Sequence, residues 1–145
     1  MIPRVVVDTN VLAGAFLSKG GGSNREVIRR CLKREAQPVL GVKLFNEYEA
    51  VLGRADLMRK CPLTTKDRLA LLEAFLSTCE WVRVYYLWRP NLPDEADNHL
   101  IELAVAGAAD AIITNNTRDM AGGDLHFPET RILTPKQFSQ TAFKL

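Results

Sequence analysis

The stretch Val5-Val6-Val7-Asp8-Thr9-Asn10 is a short run of β-branched apolar residues that ends abruptly in polar ones. A run of this kind is typical of a buried strand in a parallel sheet, and residues 11–17 predict a helix that leaves it. Ala111-Ile112-Ile113-Thr114 has the same character and also ends in a polar residue. The two stretches therefore predict an α/β fold with polar side chains at the carboxyl ends of its strands.

The remainder of the chain alternates between strand and helix patterns. Strand patterns occur at residues 38–41, 81–84 and 132–133. We predict helices over residues 25–35, 43–53 and 95–106, a helix capped by Thr64 and a last short helix started by Thr134-Pro135. Residues 20–24 predict a glycine-rich loop that ends in a capping Ser23 or Asn24. This alternation predicts a parallel sheet with helices on both faces.

The composition is that of a globular protein. The chain has 145 residues, of which 47% are hydrophobic and 25% are charged, and its net charge is +2. This length fits a single domain over residues 1–145 with one hydrophobic core. The sequence shows no apolar run near the roughly 20 residues that span a bilayer and no secretory leader pattern. We therefore expect a soluble, cytoplasmic protein with no membrane association.

The cysteine and histidine content argues against a zinc site. Cys31, Cys61 and Cys79 are odd in number and far apart, and no C-x-x-C pair occurs. We expect them to be reduced thiols in a reducing compartment.

Charge is unevenly distributed along the chain. Residues 1–72 carry 13 lysines and arginines against 7 acidic residues, whereas residues 73–145 carry 6 against 10. Within the basic half, the predicted helix 25–35 places Arg25, Arg29 and Lys33 on one stripe. Such a stripe is either a solvated face or a surface that contacts nucleic-acid phosphates. Because few acids oppose these cations, we favour contact with nucleic-acid phosphates.

Asp8 and the residues after Thr114 are the first candidates for a functional site. The carboxyl ends of parallel strands form the crevice in which open α/β sheets bind their ligands. Asp8 is also a favourable helix N-cap residue, and its position alone does not decide between a role in the functional site and a role as the cap of the following helix.

Asp97 lies on the inward-facing stripe of the predicted helix 95–106. The apolar members of this stripe are Leu100, Ile101, Ala104 and Ala108. A carboxylate on a buried face needs a compensating partner. Asp97 could instead bond the helix start, but Asp94 and Glu95 already serve that end, so metal ligation is the favoured interpretation.

The predicted helix 43–53 carries two glutamates, Glu47 and Glu49, which flank its apolar face on opposite sides. Periodicity does not decide which of them faces the crevice.

These acidic residues suggest a cation site if the two apolar strands are neighbours. Asp8, Asp97 and the acidic side chain in residues 115–119 would then converge, and several close carboxylates stay ionised only with a cation between them. Oxygen ligands with little His or Cys favour Mg²⁺ or Mn²⁺. Sites of this kind commonly act on phosphates, because the cation activates water and stabilises the leaving oxygen.

Four segments, in order along the chain, resemble the acidic motifs of PIN-domain ribonucleases. The first two are Asp8-Thr9-Asn10-Val11-Leu12 and Glu47-Tyr48-Glu49-Ala50-Val51-Leu52-Gly53-Arg54. The third is Asp97 before Leu100-Ile101-Glu102-Leu103-Ala104, and the fourth is Thr114-Asn115-Asn116-Thr117-Arg118-Asp119. The closing Ile132-Leu133-Thr134-Pro135-Lys136-Gln137-Phe138 is similar to the tail of the prokaryotic subgroup regarded as VapC-like toxins of toxin–antitoxin pairs.

This resemblance covers nearly the whole chain and carries several expectations. It implies a three-layer α/β/α sandwich with a central parallel sheet of about five strands, and Mg²⁺- or Mn²⁺-dependent cleavage of single-stranded RNA. It also implies a cognate antitoxin protein and a homodimer. The catalytic metal ligands it implies are Asp8, Glu47, Asp97 and Asp119, and the supporting residues are Thr9, Asn10, Asp94, Thr114 and Asn116. Asn116 stands where many relatives carry Asp, which leaves Asp119 as the fourth carboxylate and counts against a second metal ion.

Functions other than the ribonuclease toxin are also compatible with parts of the sequence. One is a PIN-type nuclease of RNA maturation or decay without an antitoxin, and another is a catalytically inactive RNA-binding PIN module. The presence of all four acidic residues argues against the inactive module. Asn10 stands where an α/β phosphatase would have a second Asp, and Ser23-Asn24 stands where a phosphate-binding loop would have Gly-Lys.

Overall fold

The protein contains a five-stranded parallel sheet in the strand order β3-β2-β1-β4-β5. The computed structural model describes residues 2–84, 98–117 and 130–141. The strands are β1 (Arg4–Val7), β2 (Gln37–Leu40), β3 (Glu80–Trp81), β4 (Ala111–Ile113) and β5 (Arg131–Leu133). The helices are α1 (Thr9–Leu17), α2 (Ser23–Leu32), α3 (Val42–Leu52), α4 (Ala55–Met58), α5 (Thr65–Thr78), α6 (Asn98–Ala106) and α7 (Pro135–Gln140).

The order of the strands places the carboxyl ends of β1 and β4 side by side. From β1 the chain steps outward to β2 and β3, and it then returns across the sheet to β4 and β5. Right-handed crossovers in these two directions place their helices on opposite faces of the sheet. The predicted three-layer α/β/α architecture is therefore confirmed, and the crevice expected at a reversal of strand order lies between β1 and β4.

The two stretches that predicted the fold form its centre. Val5, Val6 and Val7 are fully buried, and so are the three residues of β4. The ladder pairs Val5 with Ala111 and Val7 with Ile113. An apolar strand buried on both faces has no alternation of polar residues, which is why these runs are continuous.

The boundaries of α2 differ from the prediction of a helix over residues 25–35. The helix begins after Gly22, whose φ of 139° suits glycine, so Ser23 and Asn24 belong to the helix and do not cap it. At the other end Arg34 adopts a φ of 61°, which stops the helix after Leu32. Lys33 is therefore the C-cap residue and not part of a continuous helical stripe.

Several smaller differences concern the other elements. The strand predicted at 81–84 lies at Glu80–Trp81, and the short helix α4 was not predicted. Helix α6 ends at Ala106, and Ala108, placed on the inward stripe by periodicity, is exposed with a φ of 52°. The predicted helix positions 95–97, the loop from Trp88 to Pro93 and most of the loop 115–126 lie outside the described residues.

The three cysteines are all free thiols, as the sequence predicts. Burial raises the pKa of Cys79 to about 12, so this thiol is protonated and unreactive at neutral pH. Within the described part of the chain, no helix has the length and apolar character needed to cross a membrane.

Candidate active site

Asp8 lies at the carboxyl end of β1 and is 6% exposed. As the N-cap of α1 it accepts, through Oδ1, a hydrogen bond of 2.7 Å from the backbone N–H of Thr9. Its other oxygen, Oδ2, accepts from Thr114 Oγ1 at 2.6 Å and from Asn10 Nδ2 at 3.2 Å. Asp8 therefore caps the helix with one oxygen and joins the end of β4 with the other.

The buried environment of Asp8 disfavours the ionised form of its carboxyl group. Burial raises its pKa above the ordinary value, while the hydrogen bonds from Thr114 and Thr9 lower it and the negative charge of Glu47 raises it further. The ionised form of Asp8 consequently destabilises the folded protein unless a positive charge lies nearby.

Glu47 faces the same crevice from α3. Its Oε1 accepts a hydrogen bond of 2.5 Å from Thr9 Oγ1, and its Oε2 lies 3.0 Å from His99 Nε2. Because an ionised carboxylate only accepts, the imidazole N–H donates in this contact. The contact with His99 lowers the pKa of Glu47, burial opposes it, and the Thr9 hydroxyl lowers it further. Glu47 is thus an ionised acid held by two donors.

The other glutamate of α3 has a different environment. Glu49 is exposed and lines a separate cavity with residues of α4 and α5. The two glutamates that periodicity could not distinguish therefore face different parts of the molecule, and Glu47 is the one that meets Asp8's neighbour Thr9.

Tyr48 explains why α3 presents Glu47 to the crevice. Its side chain is buried, and its hydroxyl donates to the backbone carbonyl of Val7, the residue before Asp8. Its ring packs against Phe75 with the centroids 6.0 Å apart. This buried anchor ties α3 to the end of β1 and orients the residue that precedes it.

The turn after β4 closes the other side of the crevice. Thr114 is fully buried, and its Oγ1, which donates to Asp8, accepts from the backbone N–H of Asn116 at 3.0 Å. Asn10 Oδ1 accepts from the backbone N–H of Asn115 at 3.2 Å. The amide of Asn10 is thereby held with its Nδ2 toward Asp8.

The structure brings together six of the nine residues proposed from the acidic motifs. Asp8, Glu47, Thr9, Asn10, Thr114 and Asn116 lie at the crevice between β1 and β4. Asp94, Asp97 and Asp119 lie outside the described residues. Within residues 2–84, 98–117 and 130–141, no group of three or more His, Cys, Asp or Glu side chains is arranged to hold a metal ion.

His99 is a site residue that no motif in the sequence indicates. It follows Asp97 by two positions and is one residue before the buried Leu100, so it lies in the first turn of α6. The one sequence feature that could have indicated His99 is that it lies two residues after Asp97, near the start of the helix predicted over residues 95–106.

The basic residues of α2 are partly neutralised by their own helix. Arg29 pairs with Glu26 through Nε at 2.8 Å, and this contact lowers the pKa of Glu26 to about 2. Arg25 donates to the carbonyl of Gly20 at 2.9 Å, and Lys33 is exposed. Asn24, in the first turn, accepts from Asn115 at 3.2 Å, so α2 begins at the rim of the crevice.

Comparison with known protein families identifies the fold. Residues 4–118 match the PIN domain model, which covers about four fifths of the chain. The chain belongs to the PIN-domain family. PIN domains are generally nucleases and typically use divalent metal ions. The matched region contains the first three acidic motifs and ends one residue before Asp119.

A solved structure shows the same fold. The chain is similar to one in the crystal structure of VapBC2 from Rickettsia felis bound to a DNA fragment from their promoter. The TM-score is 0.55 at 14% sequence identity, and the alignment covers 90% of this chain and 98% of the other chain. A search of curated proteins finds no match to this sequence.

Proposed function

We propose that this PIN domain is a metal-dependent endoribonuclease that cleaves phosphodiester bonds of single-stranded RNA, and that it is the toxin of a toxin–antitoxin pair. The observation that carries the nuclease proposal is the buried Asp8 beside an oriented Glu47 at the crevice between β1 and β4. Family membership supports the reaction class, and the resemblance to VapC-like toxins supports a cognate antitoxin and a homodimer in the cytoplasm.

The described donors fit a hard divalent cation. They consist of carboxylate oxygens with neighbouring hydroxyl and amide groups, and the raised pKa of Asp8 reflects a buried charge that a cation would stabilise. We assign Asp8 and Glu47 as ligands, with Asp97 and Asp119 as the remaining acidic ligands. A bound Mg²⁺ or Mn²⁺ would activate water and stabilise negative charge on the phosphate.

The residues of the chain would then orient the substrate and the acids. Thr114 and Thr9 hold the two oxygens of Asp8, so this carboxylate presents a fixed direction to the crevice. Thr9 and His99 hold Glu47 in the same way from the opposite side. A site with fixed acids needs little reorganisation when the phosphodiester binds, and this accelerates its hydrolysis.

The primary test is cleavage of defined RNA by the purified protein. We expect unstructured RNA to be cut in the presence of Mn²⁺ and to remain intact in EDTA, while structured RNA is cut more slowly. Absence of cleavage with either Mg²⁺ or Mn²⁺, together with retained RNA binding, would instead favour the inactive binding module. A short upstream reading frame with a DNA-binding motif would separate the toxin from a nuclease of RNA decay.

His99 is expected to act as a positioning residue for Glu47. His99→Phe removes the donor to Glu47 Oε2, and we expect it to weaken Mn²⁺ binding by about 10–100-fold, the range for residues that orient metal ligands. Titration calorimetry with Mn²⁺ measures this directly. His99→Gln restores an N–H donor and should recover most of the affinity. Equal Mn²⁺ affinity in His99→Phe and wild type would contradict this role.

The basic residues of α2, together with its C-cap Lys33, are expected to hold the RNA. Changing Arg25, Arg29 and Lys33 together to Gln should weaken RNA binding and flatten its log–log salt dependence by up to about 2, because each phosphate contact on a single strand contributes about 0.7. Glu26→Gln should have the opposite effect and strengthen RNA binding, because it removes the carboxylate that pairs with Arg29. Fluorescence anisotropy at several salt concentrations measures both. A salt slope that neither variant moves would mark α2 as an ordinary solvated face.

A further inference from the structure

A cavity of about 640 Å³ adjoins the candidate active site on the side of β2 and β3. It lies between the start of α3, the end of β3 and the first turns of α6, at the same edge of the sheet as Asp8. Its volume is within the range of about 300–1,000 Å³ that is common for small-ligand sites. His99 lines this cavity and also contacts Glu47, so one side chain separates the two sites.

One wall of the cavity is apolar and open to solvent. Trp81 is 53% exposed, Val42 67% and Val84 36%. The Phe45 ring supports the indole of Trp81, with centroids 5.3 Å apart and planes inclined by 57°. A braced, solvent-exposed indole is a stacking surface for a flat aromatic ligand.

The polar groups of the cavity complement a nucleotide. Glu102 is 4% exposed, and its Oε1 has no hydrogen-bond partner in the described part of the chain. A buried carboxylate oxygen without a donor is costly, and an N–H group of a ligand would satisfy it. Lys43, which is exposed, also lines the cavity and provides positive charge for a phosphate.

We propose that this cavity is a base-binding subsite, in which one nucleobase of the RNA stacks on Trp81 and donates an N–H to Glu102. The proposal rests on the proposed function, since it places the base beside the phosphodiester at Asp8 and Glu47. A carboxylate accepts from the amino group at position 4 of cytosine, whereas uracil presents an oxygen at that position and has only its N3–H to donate. The subsite should therefore prefer cytosine to uracil.

Binding of short labelled oligocytidine and oligouridine, measured by fluorescence anisotropy in EDTA, tests the subsite without cleavage. Trp81→Leu should weaken oligocytidine binding between about fivefold and 150-fold, the range for loss of one stacked base. Trp81→Phe keeps an aromatic ring and should lose less. Leu69→Ala is the matched control, because Leu69 is 56% exposed on α5 and lines the other cavity.

Glu102→Gln tests the hydrogen bond separately from stacking. This variant keeps the shape of the side chain, and we expect the preference for oligocytidine over oligouridine to fall toward one while the Tm in EDTA does not decrease. Wild-type affinity and base preference in both Trp81→Leu and Glu102→Gln, with RNA cleavage intact, would overturn the subsite alone. A wild-type protein that neither binds nor cleaves RNA would overturn the proposed function as well.

Discussion

Glu47→Gln is expected to lose RNA cleavage by more than about 100-fold, whereas Glu49→Gln is expected to stay close to wild type. Residues that only orient metal ligands account for about 10–100-fold, so loss of a ligand should exceed that range. Glu47 contacts Thr9 and His99 at the crevice, while Glu49 lies on the exposed side of the same helix. The two variants make the same chemical change two residues apart.

Initial rates of RNA cleavage with Mn²⁺ measure the difference, and the Tm in EDTA checks that both variants fold. The Mn²⁺-dependent rise in Tm should be present in Glu49→Gln and reduced in Glu47→Gln, because a ligand that binds the native state stabilises it. An inactive Glu49→Gln beside an active Glu47→Gln would show that the acidic motif on α3 is displaced by two residues.

Asp8→Asn is expected to abolish cleavage and, in EDTA, to raise the Tm above that of the wild type. The amide carries no charge, so it avoids the burial penalty that raises the pKa of Asp8, and Asn is as favourable an N-cap as Asp. Its Nδ2 takes the place of Oδ2 and can donate to Thr114 Oγ1, but it no longer accepts from Asn10 Nδ2, so relief of the buried charge has to exceed the loss of that one hydrogen bond. Addition of Mn²⁺ should reverse the order of stability, because the wild type then gains a bound cation that the variant lacks.

The Tm difference between Asp8→Asn and the wild type is expected to depend on pH in one direction. Because the pKa of Asp8 is raised in the folded protein, its protonated form favours folding at low pH, and that stability is lost as the pH rises through the folded pKa. The Tm advantage of Asp8→Asn in EDTA should therefore be largest at neutral pH and shrink on acidification. Thermal melts across this pH range measure it, and an advantage independent of pH would exclude burial of the Asp8 charge as its cause.

The central sheet was predictable because its strands are buried on both faces. Val5-Val6-Val7 and Ala111-Ile112-Ile113 have no alternation, and continuous apolar runs between helices are found in parallel sheets. Element boundaries were less predictable. The end of α2 depends on Arg34 in the left-handed region, a conformation for which an arginine carries no sequence signal.

The residues of the candidate site were visible in the sequence, but their partners were not. Asp8 and Thr114 stand at the ends of apolar strands, where a crevice is expected, and the family resemblance selected Glu47. His99 has no motif of its own, and its contact with Glu47 requires α3 and α6 to meet over the crevice.

The sequence by itself determined the parallel α/β architecture, the family resemblance and the acidic residues at the strand ends, because apolar runs, helical periodicity and short motifs are local properties of the sequence. Helical periodicity leaves Glu47 and Glu49 equivalent, and the tertiary structure shows that Glu47 faces the crevice, because the buried anchor of Tyr48 on Val7 breaks that equivalence. The tertiary structure also decided that the buried Glu102 and the exposed Trp81 line one cavity, because contacts between distant segments depend on how the elements pack.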